Sequence, residues 1–356
     1  MFDCPLQIQT SPTRTFWISI RFFPSTRRLS GPPALQPLRF TVHFPFLAFV
    51  LAVRPRKLTV TGSPSSAQPQ TRSPIPREGW REALGDRSRV ADWVAFFDRE
   101  LAEASWPAVL QAWVPRLAPG LWAAATHGPI RTGHAVRSLA ASVTPQRLHE
   151  LAEGLGYWAT HYQILPGKPS GRHTGHSPSA AIQYVGRVHG PDFEARGSIV
   201  QQVKGLDEQP EFAQAVDLVD TAGDLSWFIS ELTETCAGIY LANPKGLVGF
   251  VHTVTAPSAL RLLAPYLTDT DAQLAARYAW QACAAIYAWY STTPPPSLSD
   301  LTPPTEAPET LIDRAVVAGG AHTIKFTEAC LREYALHPKP VYLVAARDAA
   351  ERVGAV

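Results

Sequence analysis

Methionine stands only at position 1, asparagine only at 243, and cysteine only at 4, 236, 283 and 330. No C-x-x-C pair exists, which argues against a zinc ribbon. Four scattered cysteines in 356 residues do not make a disulfide scaffold either. Cys236, Cys283 and Cys330 fall in apolar helical patterns and read as core thiols in a reducing, cytoplasmic compartment. Acid is missing from one region. Residues 4–77 carry ten Lys or Arg and no Asp or Glu, whereas residues 78–356 carry twenty-two basic and twenty-nine acidic residues. The net charge of +2 therefore hides a mildly acidic body, which offers no nucleic-acid surface. Long hydrophobic runs are also scarce. The run Leu38–Val53 has sixteen residues and contains Pro45, short for a bilayer span, so no stable membrane association is expected.

The standard catalytic signatures are missing too. There is no G-x-S-x-G, no Walker loop, no G-x-G-x-x-G and no H-E-x-x-H. No Glu stands three residues before a His, which disfavours a di-iron carboxylate site in a helical bundle.

Residues 1–77 form a basic extension rich in Arg, Ser and Pro, with little apolar periodicity. Three readings stand for it: a targeting extension, a disordered basic arm, or a misplaced start or shifted frame in a GC-rich gene. The gene's GC bias shows in twenty-six Arg against six Lys. Residues 61–76, TGSPSSAQPQTRSPIP, read as a linker under all three.

What is present from Trp80 onward is apolar periodicity of three and four residues, with strand-like alternation nearly absent. Helices are predicted over 90–104, 146–161, 225–241, 269–290 and 321–336. Thr144–Pro145 and Asp224 serve as start signals, and proline clusters at 166–178 and 294–308 as breaks. The expectation is an all-α fold, with one large helical domain over residues 78–356.

Three histidine segments lie in these apolar helices. In the first, His127 and His134 are seven residues apart, two turns or roughly 10 Å along an ideal helix. Both stay in play only if Gly128–Pro129 breaks the geometry. The second segment centres on His252. In the third, His322 and Lys325 share a helix face at three-residue spacing. For any single histidine the plainer alternative is a core imidazole bonded to a backbone carbonyl. Lys325 sits between Ile324 and Phe326, and a buried ammonium must neutralise or find a partner. The plainer alternative is a salt bridge to Glu328. The sharper one is a neutral amine that binds a metal ion, or reacts with carbon dioxide to a carbamate and so supplies an anionic ligand.

The strings HGPIRTGHAVR (127–137), YWATHYQILPG (157–167), FVHTVTAP (250–257) and HTIK (322–325) make the chain resemble the questin oxidase family over about residues 78–345. That resemblance implies oxygen-dependent oxidation or ring cleavage of an aromatic polyketide of anthraquinone type. The implied partners are a small aromatic substrate and O2. Imidazole ligands suit a non-haem Fe(II) centre held by His127, His134, His252 and His322, with Lys325 as ligand or base. Arg131 and Arg137 are candidates to steady a phenolate or the acids of the site, with a structural ion pair as the alternative. Relatives begin with an Asn-His-x-Pro segment, for which Val42-His43-Phe44-Pro45 is the nearest match here. The other enzyme reading is a metal-free or NADPH-assisted Baeyer–Villiger-type oxygenase. From another class comes a helical protein that binds an aromatic metabolite without turning it over.

Overall fold

In this computed structural model the described residues are 6–9, 15–18, 74–171, 175–195, 197–299 and 301–354. The chain divides into two units, residues 1–42 and 43–356. The first contains a hairpin in which β1 (Leu6–Gln9) pairs antiparallel with β2 (Thr15–Ile18), Leu6 opposite Ile18. His43 lies outside the described residues.

The second unit is all-α. Its longer helices are α1 (Val90–Glu103), α2 (Trp106–Leu117), α3 (His127–Ala141), α4 (Pro145–Thr160), α5 (Leu225–Ala242), α6 (Leu247–Leu263), α7 (Asp269–Tyr290), α8 (Pro308–Ala318), α9 (Ala321–Leu336) and α10 (Pro340–Arg352). The start signals read in the sequence do their work: Thr144 accepts from the Arg147 amide, and Asp224 from the amides of Ser226 and Trp227. The apolar stripe of α1 is buried at Trp93, Phe96 and Phe97, while Val90, at the helix start, is exposed.

Helix α6 is the hub, packing against α3, α5, α7 and α9. Surrounded on all sides, it is apolar all round rather than on one stripe, with every residue from Gly249 to Leu260 buried. Together with the turn that follows, Leu247–Tyr266 is the one helix among the described residues long and apolar enough to cross a membrane. Yet 72% of it is buried inside the fold. Pro257 cannot donate to the carbonyl of Thr253 one turn earlier, and the thiol of Cys283 on α7 fills that gap at 3.3 Å. Gly133 sets the approach of α3 to α6, because a Cβ there would stand 2.9 Å from the carbonyl oxygen of Ala259. That close approach brings the first histidine segment onto the second.

Candidate metal centre

The site begins with an unusual backbone. Before α3 the chain passes through Ala124, Ala125 and Thr126 at φ 49°, 54° and 69°, three consecutive left-handed residues, none of them glycine. Each such residue costs roughly 1–2 kcal/mol, so the surrounding packing holds the turn in place. The turn aims two successive carbonyls at two imidazoles. His127 Nδ1 donates to the Ala124 oxygen and His252 Nδ1 to the Ala125 oxygen, each at 2.6 Å. With Nδ1 as donor in both rings, Nε2 carries the lone pair in both, and the tautomer of each is set by the backbone.

The rings of His127 and His252 have centroids 4.6 Å apart, and His322 stands 5.4 Å from His252 and 6.2 Å from His127. One ring nitrogen from each of the three lies within 4.8 Å of the other two. His252 is 1% exposed, and its Nε2 has no hydrogen-bond partner among the described residues. His127 and His322 are half-buried, so the group is closed at its base and open on their side. Lys325 Nζ donates to His127 Nε2 at 3.2 Å.

Burial holds the three imidazoles in their neutral forms. It pushes His127 and His322 down to about 4, with the charge of Lys325 adding to the effect, and His252 well below the ordinary imidazole range. Burial also brings Lys325 down to about 7. Neutral imidazoles are the form that binds a cation. An orphaned, desolvated Nε2 beside two more imidazole nitrogens is what a borderline divalent ion such as Fe(II) or Zn(II) takes up. The residues therefore fit a metal ion.

The remaining sequence candidates are placed elsewhere. α3 is helical from His127 through Ala141 with no break at Gly128–Pro129, because proline in the first turn has no intrahelical bond to lose. His134 is therefore carried two turns away and stands outside the three-histidine group. It lies near Glu328, Arg137, Arg332 and Lys325, with its pKa lowered to about 4, chiefly by burial. Arg137 forms an ion pair with Glu328, which is also held by Arg332 at 3.0 Å. Glu328 is thus already paired, and Lys325 turns to His127 rather than forming the salt bridge that was its plainer alternative. Arg131 stands 3.6 Å from Glu153 and lies over the ring of Tyr157 at 4.9 Å, close enough to His127 to lower its pKa.

Two parts of the site were not legible as chemistry. The carbonyls of Ala124 and Ala125 belong to residues with no reactive side chain. Their only signal is position, immediately before His127 in a string poor in turn formers. The second part is Tyr157 with His161, inside the YWATHY string but not assigned a role.

Compared with known families, the sequence model of the questin oxidase-like family matches residues 57–330. No curated protein matches the chain. The match lies within the second unit and begins upstream of Glu78, inside the stretch expected to be an extension. It spans the turn, His127, His252, His322 and Lys325.

Proposed function

The chain belongs to the questin oxidase-like family, which marks it as an oxidoreductase, and from that premise we propose that it is an oxygen-dependent, non-haem iron enzyme acting on a phenolic aromatic polyketide. One observation carries this reading. Three neutral histidines converge, two with tautomers fixed by the backbone, around a buried Nε2 that none of the described residues satisfies.

His127, His252 and His322 would hold the ion, and when bound it would supply the redox chemistry toward O2 that no side chain here can provide. The protein's own contributions are the orientation of the imidazoles, the exclusion of water at His252 and a basic amine at Lys325. With a pKa brought to about 7, Lys325 divides between ammonium and amine near neutrality, and so can hold or release a proton at Nζ. The same neutral amine can add to carbon dioxide. The nitrogen lone pair forms the C–N bond, one proton leaves, and the resulting carbamate is the anionic group that an all-imidazole set lacks. Arg131 would steady a substrate phenolate beside His127. Cys236, Cys283 and Cys330 are free and buried, in keeping with a reducing compartment.

The test is the metal content of anaerobically purified protein beside His252→Ala and His322→Ala, followed by oxygen uptake with a hydroxylated anthraquinone. Near-stoichiometric iron in the wild type, lost in both variants, is expected, with iron-dependent oxygen uptake. A wild type that takes up no metal after Fe(II) loading would overturn the reading.

A further inference from the structure

Beside the histidine group, the C-terminal turn of α4 presents a second arrangement. The ring of His161 stacks on that of Tyr157, centroids 4.1 Å apart at 26°. His161 Nδ1 donates to the Tyr157 carbonyl at 3.1 Å, so its Nε2 carries the lone pair. The guanidinium of Arg131, one turn along α3 from His127, lies 4.9 Å from the centre of the same Tyr157 ring. Its tie to Glu153 is long at 3.6 Å, with both side chains about one-third exposed, and a pair of that kind contributes little. Tyr157 and His161 are half-buried, and His161 is near enough to His127 to affect its charge. Around the Tyr157 ring, one face of which His161 covers, a cation and a lone-pair nitrogen therefore gather beside the candidate metal group.

We propose that His161 is the base that takes the hydroxyl proton of a phenolic substrate, whose oxygen Arg131 then holds beside the Tyr157 ring. The proposal rests on the reading of the site as one for a phenolic aromatic. In the step the phenol O–H bond breaks, the proton passes to His161 Nε2, and the electron pair stays on oxygen as a phenolate facing the guanidinium. Burial, then Arg87 and Arg131, keep His161 below the ordinary imidazole range, against the pull of the Tyr157 carbonyl, so it meets the phenol unprotonated. Tyr157 and His127 are the titratable rings near it, and beyond Arg131 stand Glu153 and, 4.0 Å from that acid, His149.

The experiment uses metal-free full-length protein and para-nitrophenol, whose visible absorption reports its ionisation. The bound phenol should ionise about one pH unit below the free phenol, a tenfold shift. His161→Gln and Arg131→Met should each remove that shift, and Tyr157→Phe should keep it. Calorimetry of the wild type in two buffers of different ionisation enthalpy gives a reading independent of any variant. Near-zero net proton release at neutral pH is expected, because the phenol's proton stays on the protein. Release of one proton per phenol, ionisation in His161→Gln equal to wild type, or no binding to the wild type would each overturn the proposal. Loss of metal loading in His161→Gln would make His161 a metal ligand and overturn it as well. Because the probe needs no metal, a failed iron reading and a failed base assignment give different results.

Discussion

Two regions share the helices α3, α6 and α9 and treat polar groups in opposite ways. At His127, His252 and His322 the described residues bring no acid into the group, the rings are neutral, and none of those residues pairs with a buried Nε2. Farther along the same three helices, Arg137, Glu328 and Arg332 form one network, and Ser258, Arg261 and Glu333 another. Glu333, 0% exposed, accepts from Ser258 Oγ and from Arg261, both at 2.7 Å. Arg332 also donates to the Ser258 carbonyl at 2.6 Å. The contacts advance in the same sense along all three helices, so a single bundle carries both regions. Buried charge is tolerated where every donor finds an acceptor, and the fold depends on it there. A polar atom left unsatisfied beside it marks a place kept for something the chain does not supply.

The contrast can be broken from either side. The largest effect on folding is expected from Glu333→Ala, which leaves the half-buried Arg261 without its anion. It should cost about 3–5 kcal/mol in chemical denaturation. His252→Gln, six residues before Ser258 on the hub helix, should cost about 1 kcal/mol and abolish metal uptake. Equal destabilisation by the two would erase the distinction. Next comes Gly133→Ala, whose Cβ meets the Ala259 carbonyl. It should cost about 1–3 kcal/mol and loosen metal binding through the spacing of α3 and α6, read by denaturation and by metal titration.

Lys325 separates chemistry from folding more finely. Lys325→Met should lose metal loading or turnover while the protein stays folded, whereas Lys325→Glu should keep metal if a carboxylate can stand in for the proposed carbamate. Equal metal content in Lys325→Met and wild type would remove the ligand role. Acid gives a milder test. Unfolded imidazoles take up protons near 6.5, whereas His127 and His322 wait until about 4. Between those values the unfolded state binds more protons, so metal-free protein should lose stability as pH falls from about 6.5 to about 4. A melting temperature flat across that window would contradict the neutral assignments. The smallest effect concerns the left-handed turn. Ala125→Gly should relieve strain and leave stability within about 1 kcal/mol of wild type, in thermal melts, while weakening metal affinity by freeing the carbonyl that orients His252.

Much of this was legible in the primary structure. Helices over 269–290 and 321–336 follow from apolar period and caps, and His127, His252, His322 and Lys325 stood out as polar residues in apolar helical text. His134 stood out for the same reason, but an uninterrupted helix carries it to the other region, because seven residues are two turns. For two of the histidines the plain and the sharp readings proved compatible: Nδ1 bonds a backbone carbonyl and Nε2 stays free.

By itself the sequence determined the helical class, the family strings and which residue types are available for chemistry, since period, capping and motif are local properties of the chain. Tertiary structure alone decided which histidines meet, which acid Lys325 does not reach, and that two alanine carbonyls orient the rings. Those outcomes depend on packing between helices 127 and 198 residues apart in the chain. No local pattern encodes the φ angles of a turn held by its surroundings.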